Sequence, residues 1–245
     1  MCGIVAAAAG NNIVPVLVEG LKKLEYRGYD SAGLAVIAGN AIERVRSVGR
    51  VAELETASAA THAVTGIAHT RWATHGVPSE RNAHPHISGS IAVVHNGIIE
   101  NYEALRHELS AQGYVFTSDT DTESIAHLLE ATLKAEPDLF AAVRLACQRL
   151  VGAYAIAVID QNQPGKIIVS REGSPLLLGV SDTGNYAASD ASALLQVTRN
   201  MVYLENGDVA ELTASGVKIS LLDGTSVERA VHLSQLSAAA VELGN

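Results

Sequence analysis

The sequence predicts an α+β protein in which stacked antiparallel β-sheets are covered by helices. Short apolar segments of strand length occupy both ends of the chain, and three segments between them carry the apolar period of helices. The C-terminal strands are separated by turns of hairpin length, which pair strands in opposite directions. The 245 residues show no internal repeat and no low-complexity linker, so we expect one continuous domain.

The first third of the chain predicts a strand, a helix and a hairpin, in that order. Ile4–Ala9 is a short apolar segment typical of a buried strand. From Val14 to Leu24, apolar residues recur at the i, i+3, i+4 and i+7 spacing of a helix. Leu34–Ala38 and Ile42–Val48 flank the turn pair Gly39-Asn40 and predict a β-hairpin.

Two further strands, Val64–His69 and Ile91–His95, flank a long segment whose apolar residues follow neither the helical nor the strand period. This segment, Thr70–Ser90, contains some 20 residues, and compact domains rarely keep such a loop unless it is a lid or a binding loop. We therefore expect part of the functional site to lie in Thr70–Ser90.

The middle of the chain predicts three helices. The first begins near Tyr102 and ends at Gly113, and the second begins with the capping-box pattern Thr120-Asp121-Thr122-Glu123. The third, about Leu139–Leu150, places Cys147 on its apolar face, where an inert core residue is expected. Four short strands are predicted to follow: Tyr154–Ile159, Ile167–Ser170, Leu176–Val180 and Val202–Leu204.

Composition excludes several classes of function. The chain has 26 acidic and 17 basic residues, a net charge of −9, and such a balance argues against nucleic-acid binding. No apolar segment approaches the roughly 18 residues of a membrane span, and no signal peptide is apparent. Cys2 and Cys147 are too few for a disulfide framework, so we expect a cytoplasmic protein.

Cys2 is the first candidate for chemistry. If Met1 is removed, the thiol stands on the N-terminal residue, whose α-amine (pKa about 7.7 to 8.0) can serve as its base. Considered alone, Cys2 is better interpreted as an accidental cysteine at the start of a strand.

Three more motifs contain groups suited to substrate binding or catalysis. The segment His69–Gly76 holds the only Trp, Trp72, and beside it Arg71, whose planar fork suits a carboxylate. After a strand, Asn96-Gly97 could supply two oxyanion donors or form a simple turn. Asp121 could bind an ammonium group or could only favour a helix N-terminus.

Histidines also accumulate in this region, at positions 69, 75, 84, 86 and 95. A metal-dependent hydrolase that uses the His69–His95 cluster is therefore an alternative hypothesis, although no acidic residue lies between Arg81 and Glu100. A non-catalytic module that binds an amino acid is another. Glycine-rich phosphate loops are missing, so nucleotide binding has no support.

Five motifs in order resemble the glutaminase (type-2 glutamine amidotransferase) domain of the glutamine:fructose-6-phosphate amidotransferase family. The resemblance covers about residues 2–235, leaving 236–245 as an Ala-rich tail or the start of a linker to sugar-isomerase domains. It implies an N-terminal-nucleophile hydrolase fold with two stacked antiparallel sheets between helical layers. The motifs are Met1–Val5, Leu24–Gly33, His69–Gly76, Asn82–His86 and Val94–Asn101.

The resemblance also implies a role for individual residues. Cys2 would be the nucleophile, with Arg27 nearby, and Asn96 and Gly97 would form the oxyanion hole. Arg71 and Asp121 would bind the glutamine carboxylate and ammonium, and the remaining residues of the site would be Trp72, Thr74 and His75.

The implied activity is hydrolysis of L-glutamine to glutamate and ammonia through a thioester on an N-terminal cysteine, with no cofactor and no metal. In the full-length enzyme, the ammonia would serve glucosamine 6-phosphate synthesis in fructose-6-phosphate isomerase domains that are absent from this chain. The implied full-length enzyme is a homo-oligomer that binds neither nucleic acid nor membrane.

Overall fold

The computed structural model describes residues 2–72 and 77–236, which form two antiparallel β-sheets flanked by helices. The helices are α1 (Val14–Leu24), α2 (Val51–Ala57), α3 (Tyr102–Ala111), α4 (Thr122–Leu133) and α5 (Leu139–Cys147). The strands are β1 (Gly3–Ala9), β2 (Ser31–Ala38), β3 (Ala41–Val48), β4 (Thr65–Arg71), β5 (His86–Ser88), β6 (Ile91–Ile99), β7 (Gly152–Asp160), β8 (Ile167–Glu172), β9 (Leu177–Ser181), β10 (Gly184–Ala188), β11 (Asn200–Tyr203), β12 (Asp208–Thr213), β13 (Gly216–Leu221) and β14 (Val231–Leu233).

The larger sheet has the strand order β14-β11-β9-β10-β1-β4-β2-β3, and the smaller has the order β13-β12-β8-β7-β6-β5. Successive side chains of a strand point to opposite faces, so the buried strand β1 contributes to two apolar cores. Val5 packs in the core beneath α1, while its neighbour Ile4 packs in the core between the two sheets.

A third core lies between the smaller sheet and helices α3 to α5, with Leu109, Leu129 and Val143 from the helices. The order of layers is therefore helix, sheet, sheet, helix. The predicted arrangement of two stacked antiparallel sheets between helical layers is confirmed.

Strand pairing brings distant segments of the chain to the start of β1. Gly3 pairs with Thr70 on the antiparallel neighbour β4, so Cys2 lies beside the end of β4 at Arg71 and Trp72. Strand β6 of the smaller sheet lies opposite, and the His69 Nε2 atom is 2.9 Å from the Asn96 Oδ1 atom across the gap between the sheets.

Two predictions about the segment between β4 and α3 are wrong. Thr70–Ser90 is not one long loop, because β4 continues to Arg71 and β5 (His86–Ser88) pairs with β6. A short 3-10 turn also forms at Glu80–Asn82, where the Asn82 side chain binds the backbone of neighbouring loops. Strand β6 extends to Ile99, four residues beyond its predicted end, because its pairing with β7 continues to that point.

The capping box predicted at Thr120–Glu123 does not form. Helix α4 begins at Thr122 with Asp121 as its N-cap residue, and none of the described side chains caps it. The Glu123 carboxylate instead accepts hydrogen bonds from the backbone N–H groups of Thr117 and Ser118, which precede the helix.

Helix α2 and strands β5, β10, β12, β13 and β14 were not predicted from the sequence. Helix α2 has only seven residues, two of them buried, so its apolar period is too short to detect. All three residues of β14 are exposed, and its conformation comes from pairing with β11. These elements depend on their neighbours more than on their own pattern.

Among the described residues, no helix is both long and apolar enough to span a bilayer. The longest, α4, has 12 residues. The Ala-rich segment Ser237–Asn245 lies outside the described residues, as does Met1.

Candidate active site

Cys2 lies at the edge of two cavities, and the end of β4 holds its sulfur. The backbone N–H of Trp72 donates to Cys2 Sγ at 3.2 Å, and the thiol is 3.4 Å from the Trp72 carbonyl oxygen. Burial raises the pKa of the Cys2 thiol, and the Trp72 N–H only partly opposes this shift. A thiol in this environment needs a base to become a nucleophile.

The smaller cavity joins Cys2 to charged and polar groups from β4 and from the start of α4. It has a volume of about 10 Å³, enough for about one water molecule. Asp121 is 3% exposed, and its Oδ2 atom accepts a hydrogen bond from the Ile99 N–H at 2.9 Å. The lining residues are Cys2, Arg71, Trp72, His84, His95, Gly97, Thr120, Asp121 and Thr122.

The larger cavity also borders Cys2 and is mainly apolar. Its volume of about 430 Å³ falls within the range of small-molecule sites. The lining residues are Cys2, Arg27, Trp72, Asn96, Gly97, Ile98, Ser174 and Pro175. Cys2, Trp72 and Gly97 line both cavities, so the sulfur lies where a charged compartment meets an apolar one.

Asn96 spans the gap between β6 and the N-terminal segment. Its Nδ2 atom donates to the Cys2 carbonyl oxygen at 3.2 Å, and its Oδ1 atom accepts from His69 Nε2 at 2.9 Å. The amide nitrogen therefore faces the cysteine residue. Asn96 is 7% exposed, and burial of this kind favours one fixed orientation of the amide.

Gly97 follows within β6 and has a backbone conformation that favours glycine. Its φ is +131°, and a Cβ atom at this position would collide with the carbonyl oxygen of Ala153 on β7. The prediction that Asn96-Gly97 lies after the strand is wrong, since both residues belong to β6. The absent side chain lets the backbone of Gly97 line the cavities beside Cys2.

The two candidate arginines are fixed by acidic residues. Arg71 is 3% exposed, and its Nη1 atom is 3.4 Å from Asp30 Oδ1. Arg27 forms an ion pair with Asp190, and its Nε atom donates to the Tyr26 hydroxyl oxygen at 3.1 Å. Both guanidinium groups are thus oriented before any substrate binds.

The histidines predicted as an alternative metal cluster have other partners. His86 Nε2 is 2.9 Å from Thr120 Oγ1, and His95 Nδ1 is 3.0 Å from Thr122 Oγ1. Burial lowers the pKa of His69 and of His86 to about 3, so both are neutral at physiological pH. Within residues 2–72 and 77–236, no group of three or more His, Cys, Asp or Glu residues is arranged to hold a metal ion.

The structure thus brings seven of the nine predicted site residues to the two cavities around Cys2. The other two, Thr74 and His75, lie outside the described residues. His84 and His95 also line the smaller cavity, although the sequence suggested them only as members of the alternative metal cluster. Sequence reasoning missed Thr120 and Thr122 in the smaller cavity and Ile98, Ser174 and Pro175 in the larger one. Ser174 and Pro175 carried no motif that could have identified them.

Comparisons with known proteins agree with this geometry. A family model described as a glutamine amidotransferase domain matches residues 69–196. The chain is 58% identical over 248 residues to a protein of Acidithiobacillus ferridurans named glutamine–fructose-6-phosphate aminotransferase (isomerizing), and this match covers 100% of the chain and 41% of the relative. A protein of the same name from Xylella fastidiosa strain Temecula1 is 52% identical over 246 residues, covering 100% of the chain and 40% of the relative.

Among solved structures, the glutamine phosphoribosylpyrophosphate amidotransferase of B. subtilis superimposes with a TM-score of 0.77 at 25% identity. The superposition covers 90% of this chain and 49% of that one. It confirms the fold that the sequence motifs implied. The chain spans about 40% of the length of the curated relatives it matches.

Proposed function

Because the chain belongs to the glutamine amidotransferase domain family, we propose that it hydrolyses the side-chain amide of L-glutamine to glutamate and ammonia, with Cys2 as nucleophile. The observation that carries this proposal is the position of Cys2. This residue lines both the cavity that contains Arg71 and Asp121 and the cavity that contains Asn96.

In the proposed reaction, removal of Met1 frees the α-amine of Cys2, which takes the thiol proton. The thiolate attacks the amide carbon, the C–N bond breaks, and the amine returns the proton to the leaving ammonia. Water then hydrolyses the thioester and releases glutamate. The raised pKa of the thiol supports a role for this base, because little thiolate forms without one.

The negative charge that develops on the amide oxygen needs hydrogen-bond donors at fixed positions. We assign these donors to Asn96 Nδ2 and to the Gly97 N–H. The orientation of the Asn96 amide toward the cysteine residue supports the first assignment. Arg27, held by Asp190 at the rim of the larger cavity, supplies positive charge near the nucleophile.

Arg71 is assigned to the α-carboxylate of glutamine and Asp121 to its α-ammonium. Both are buried in the smaller cavity, where low dielectric strengthens such contacts. The volume of about 10 Å³ means that the lining side chains must move apart to admit the substrate. Trp72 completes the proposed binding site together with Thr74 and His75, which are assigned only by the family resemblance.

In the longer relatives, the name glutamine–fructose-6-phosphate aminotransferase (isomerizing) implies that ammonia passes to fructose 6-phosphate. We propose the same use of ammonia for a full-length protein in which residues 1–235 of this chain form the glutaminase domain. Its fructose-6-phosphate isomerase domains would follow residues 236–245. Homo-oligomer formation and a cytoplasmic location belong to the same proposal, the latter supported by two free cysteines.

The test is covalent trapping with a diazoketone analogue of glutamine, together with an assay of glutamate release. We expect one adduct on the Cys2 peptide of Met1-processed protein and complete loss of turnover. Cys147 is an internal control, because it is buried and its pKa is raised to about 11. The Cys2→Ala variant should bind glutamine in calorimetry without turnover.

Labelling at Cys147 alone, or turnover by Cys2→Ala, would overturn the assignment of the nucleophile. Glutamine binding without turnover by the processed wild-type chain would instead indicate a non-catalytic amino-acid-binding module. Rapid turnover by protein that retains Met1 in intact-mass analysis would refute the role of the amine.

A further inference from the structure

We infer that His69 is a positioning residue that fixes the orientation of the Asn96 amide, and so decides whether Asn96 presents a donor to the reaction. This inference rests on the proposed function. The contact that carries it joins the two sheets: His69 Nε2 on β4 is 2.9 Å from Asn96 Oδ1 on β6.

The hydrogen-bond partners determine which ring nitrogen of His69 carries the proton. Besides Asn96 Oδ1, the Nε2 atom lies 3.0 Å from the backbone carbonyl oxygen of His95. A carbonyl oxygen only accepts hydrogen bonds, so Nε2 must be the protonated nitrogen. The other ring nitrogen, Nδ1, is buried and has no hydrogen-bond partner among residues 2–72 and 77–236, as expected for the unprotonated atom.

The same argument determines the orientation of the amide. If the Asn96 amide were flipped, its NH₂ group would face the N–H of His69 and its oxygen would face the carbonyl oxygen of Cys2. Both contacts would be repulsive, whereas the observed orientation makes both favourable. A flipped Asn96 would also present an acceptor to a developing oxyanion and would raise the barrier instead of lowering it.

The surroundings keep His69 neutral and in place. It is fully buried, which lowers its pKa to about 3, and its ring stacks on that of His84 with centroids 4.1 Å apart. Arg71 on β4 disfavours a positive charge on His69, and Asp121 lies 3.9 Å from the neighbouring His95. His69 therefore has one tautomer, one orientation and one charge state across the physiological pH range.

The test replaces His69 in the complete chain and measures glutaminase kinetics. His69→Phe keeps a flat ring for stacking on His84 but removes the donor, and we expect kcat to fall about 10- to 100-fold with KM changed less than about threefold. His69→Gln places an amide N–H near the position of Nε2 and should recover most of the lost kcat. His127→Phe is the matched control, because His127 is also a buried histidine but hydrogen bonds to Ser88 instead; its kcat should stay within about twofold.

A double-mutant cycle separates positioning from a general structural role. In an Asn96→Ala background, His69→Phe should have little further effect on kcat, because the amide it orients is gone. If His69→Phe lowers kcat by the same factor in the wild-type and Asn96→Ala backgrounds, the inference is overturned even if glutaminase activity depends on Asn96. If Asn96→Ala itself retains full turnover, the oxyanion assignment in the proposed function fails instead. Thermal unfolding identifies variants that do not fold. If His69→Phe is one of them, the kcat of His69→Gln and a double-mutant cycle of His69→Leu with Asn96→Ala test the inference in its place.

Discussion

Replacement of Asn96 by alanine tests the catalytic assignment most directly, because the structure predicts a small effect on stability and a large effect on turnover. The variant removes the amide that joins His69 to the Cys2 carbonyl. His69 Nε2 keeps the His95 carbonyl as an acceptor at 3.0 Å, so no buried donor is left unpaired. We therefore expect a loss of stability of only about 1 kcal/mol.

The expected effect on turnover is much larger. Loss of one oxyanion donor lowers kcat by about 10² to 10³, equivalent to roughly 2.7 to 4 kcal/mol of transition-state stabilisation. The groups assigned to the substrate's carboxylate and ammonium, Arg71 and Asp121, are unchanged, so KM should shift by less than about threefold. Initial rates of glutamate release over a range of glutamine concentrations separate the two constants.

Asn185→Ala is a matched control for this variant. Asn185 is also a buried asparagine, 5% exposed, and its Nδ2 atom donates to the Thr213 carbonyl oxygen at 2.8 Å. It pairs with Ala8 near the far end of β1, away from Cys2. The control should lose similar stability and keep its kcat. A kcat for Asn96→Ala within about threefold of wild type would refute the oxyanion assignment.

Three further predictions concern backbone conformation, substrate recognition and acid stability. Gly97→Ala should lose at least about 2 kcal/mol of unfolding free energy in urea and most activity, because its positive φ and the Ala153 carbonyl both oppose a side chain; wild-type stability would contradict this. Arg71→Ala should raise KM about 10- to 100-fold through the lost charge-assisted contact, with Arg71→Lys intermediate, and an unchanged KM would assign the carboxylate elsewhere. The urea midpoint should fall as pH drops from 6.5 toward 3, because His69 and His86 stay neutral in the folded state while the same residues take up protons in the unfolded state. Each of the two residues should lower the free energy of unfolding by about 1.4 kcal/mol per pH unit. A pH-independent midpoint, or a His69→Phe variant with the same slope, would contradict that origin.

The layered fold could be predicted because its central strands are intrinsically apolar. Ile4–Ala9 and Ile91–Val94 are buried along their whole length, and an uninterrupted apolar segment of strand length is visible without any tertiary information. Peripheral elements such as β14 and α2 are stabilised by their neighbours, and their own residues carry too little pattern to reveal them.

The site was predictable where the reactive groups stand beside distinctive neighbours in the sequence. Cys2, Arg71 and Asn96 each lie in a motif, and strand pairing brings the motifs together. The supporting contacts could not be predicted, because they join residues far apart in the chain. The pairing of Arg27 with Asp190 spans 163 positions, and nothing in the sequence around Asp190 indicates it.

Trp72 has a consequence for how this protein can be observed. It is the only tryptophan in the chain, its own backbone N–H donates to Cys2 Sγ, and its half-exposed indole packs against Gly28, where any side chain would collide with it. The protein therefore carries a single tryptophan, which can be excited apart from its seven tyrosines and is attached to the backbone that holds the sulfur. We therefore expect stopped-flow emission from this one indole to follow events at the thiol in real time, without any label.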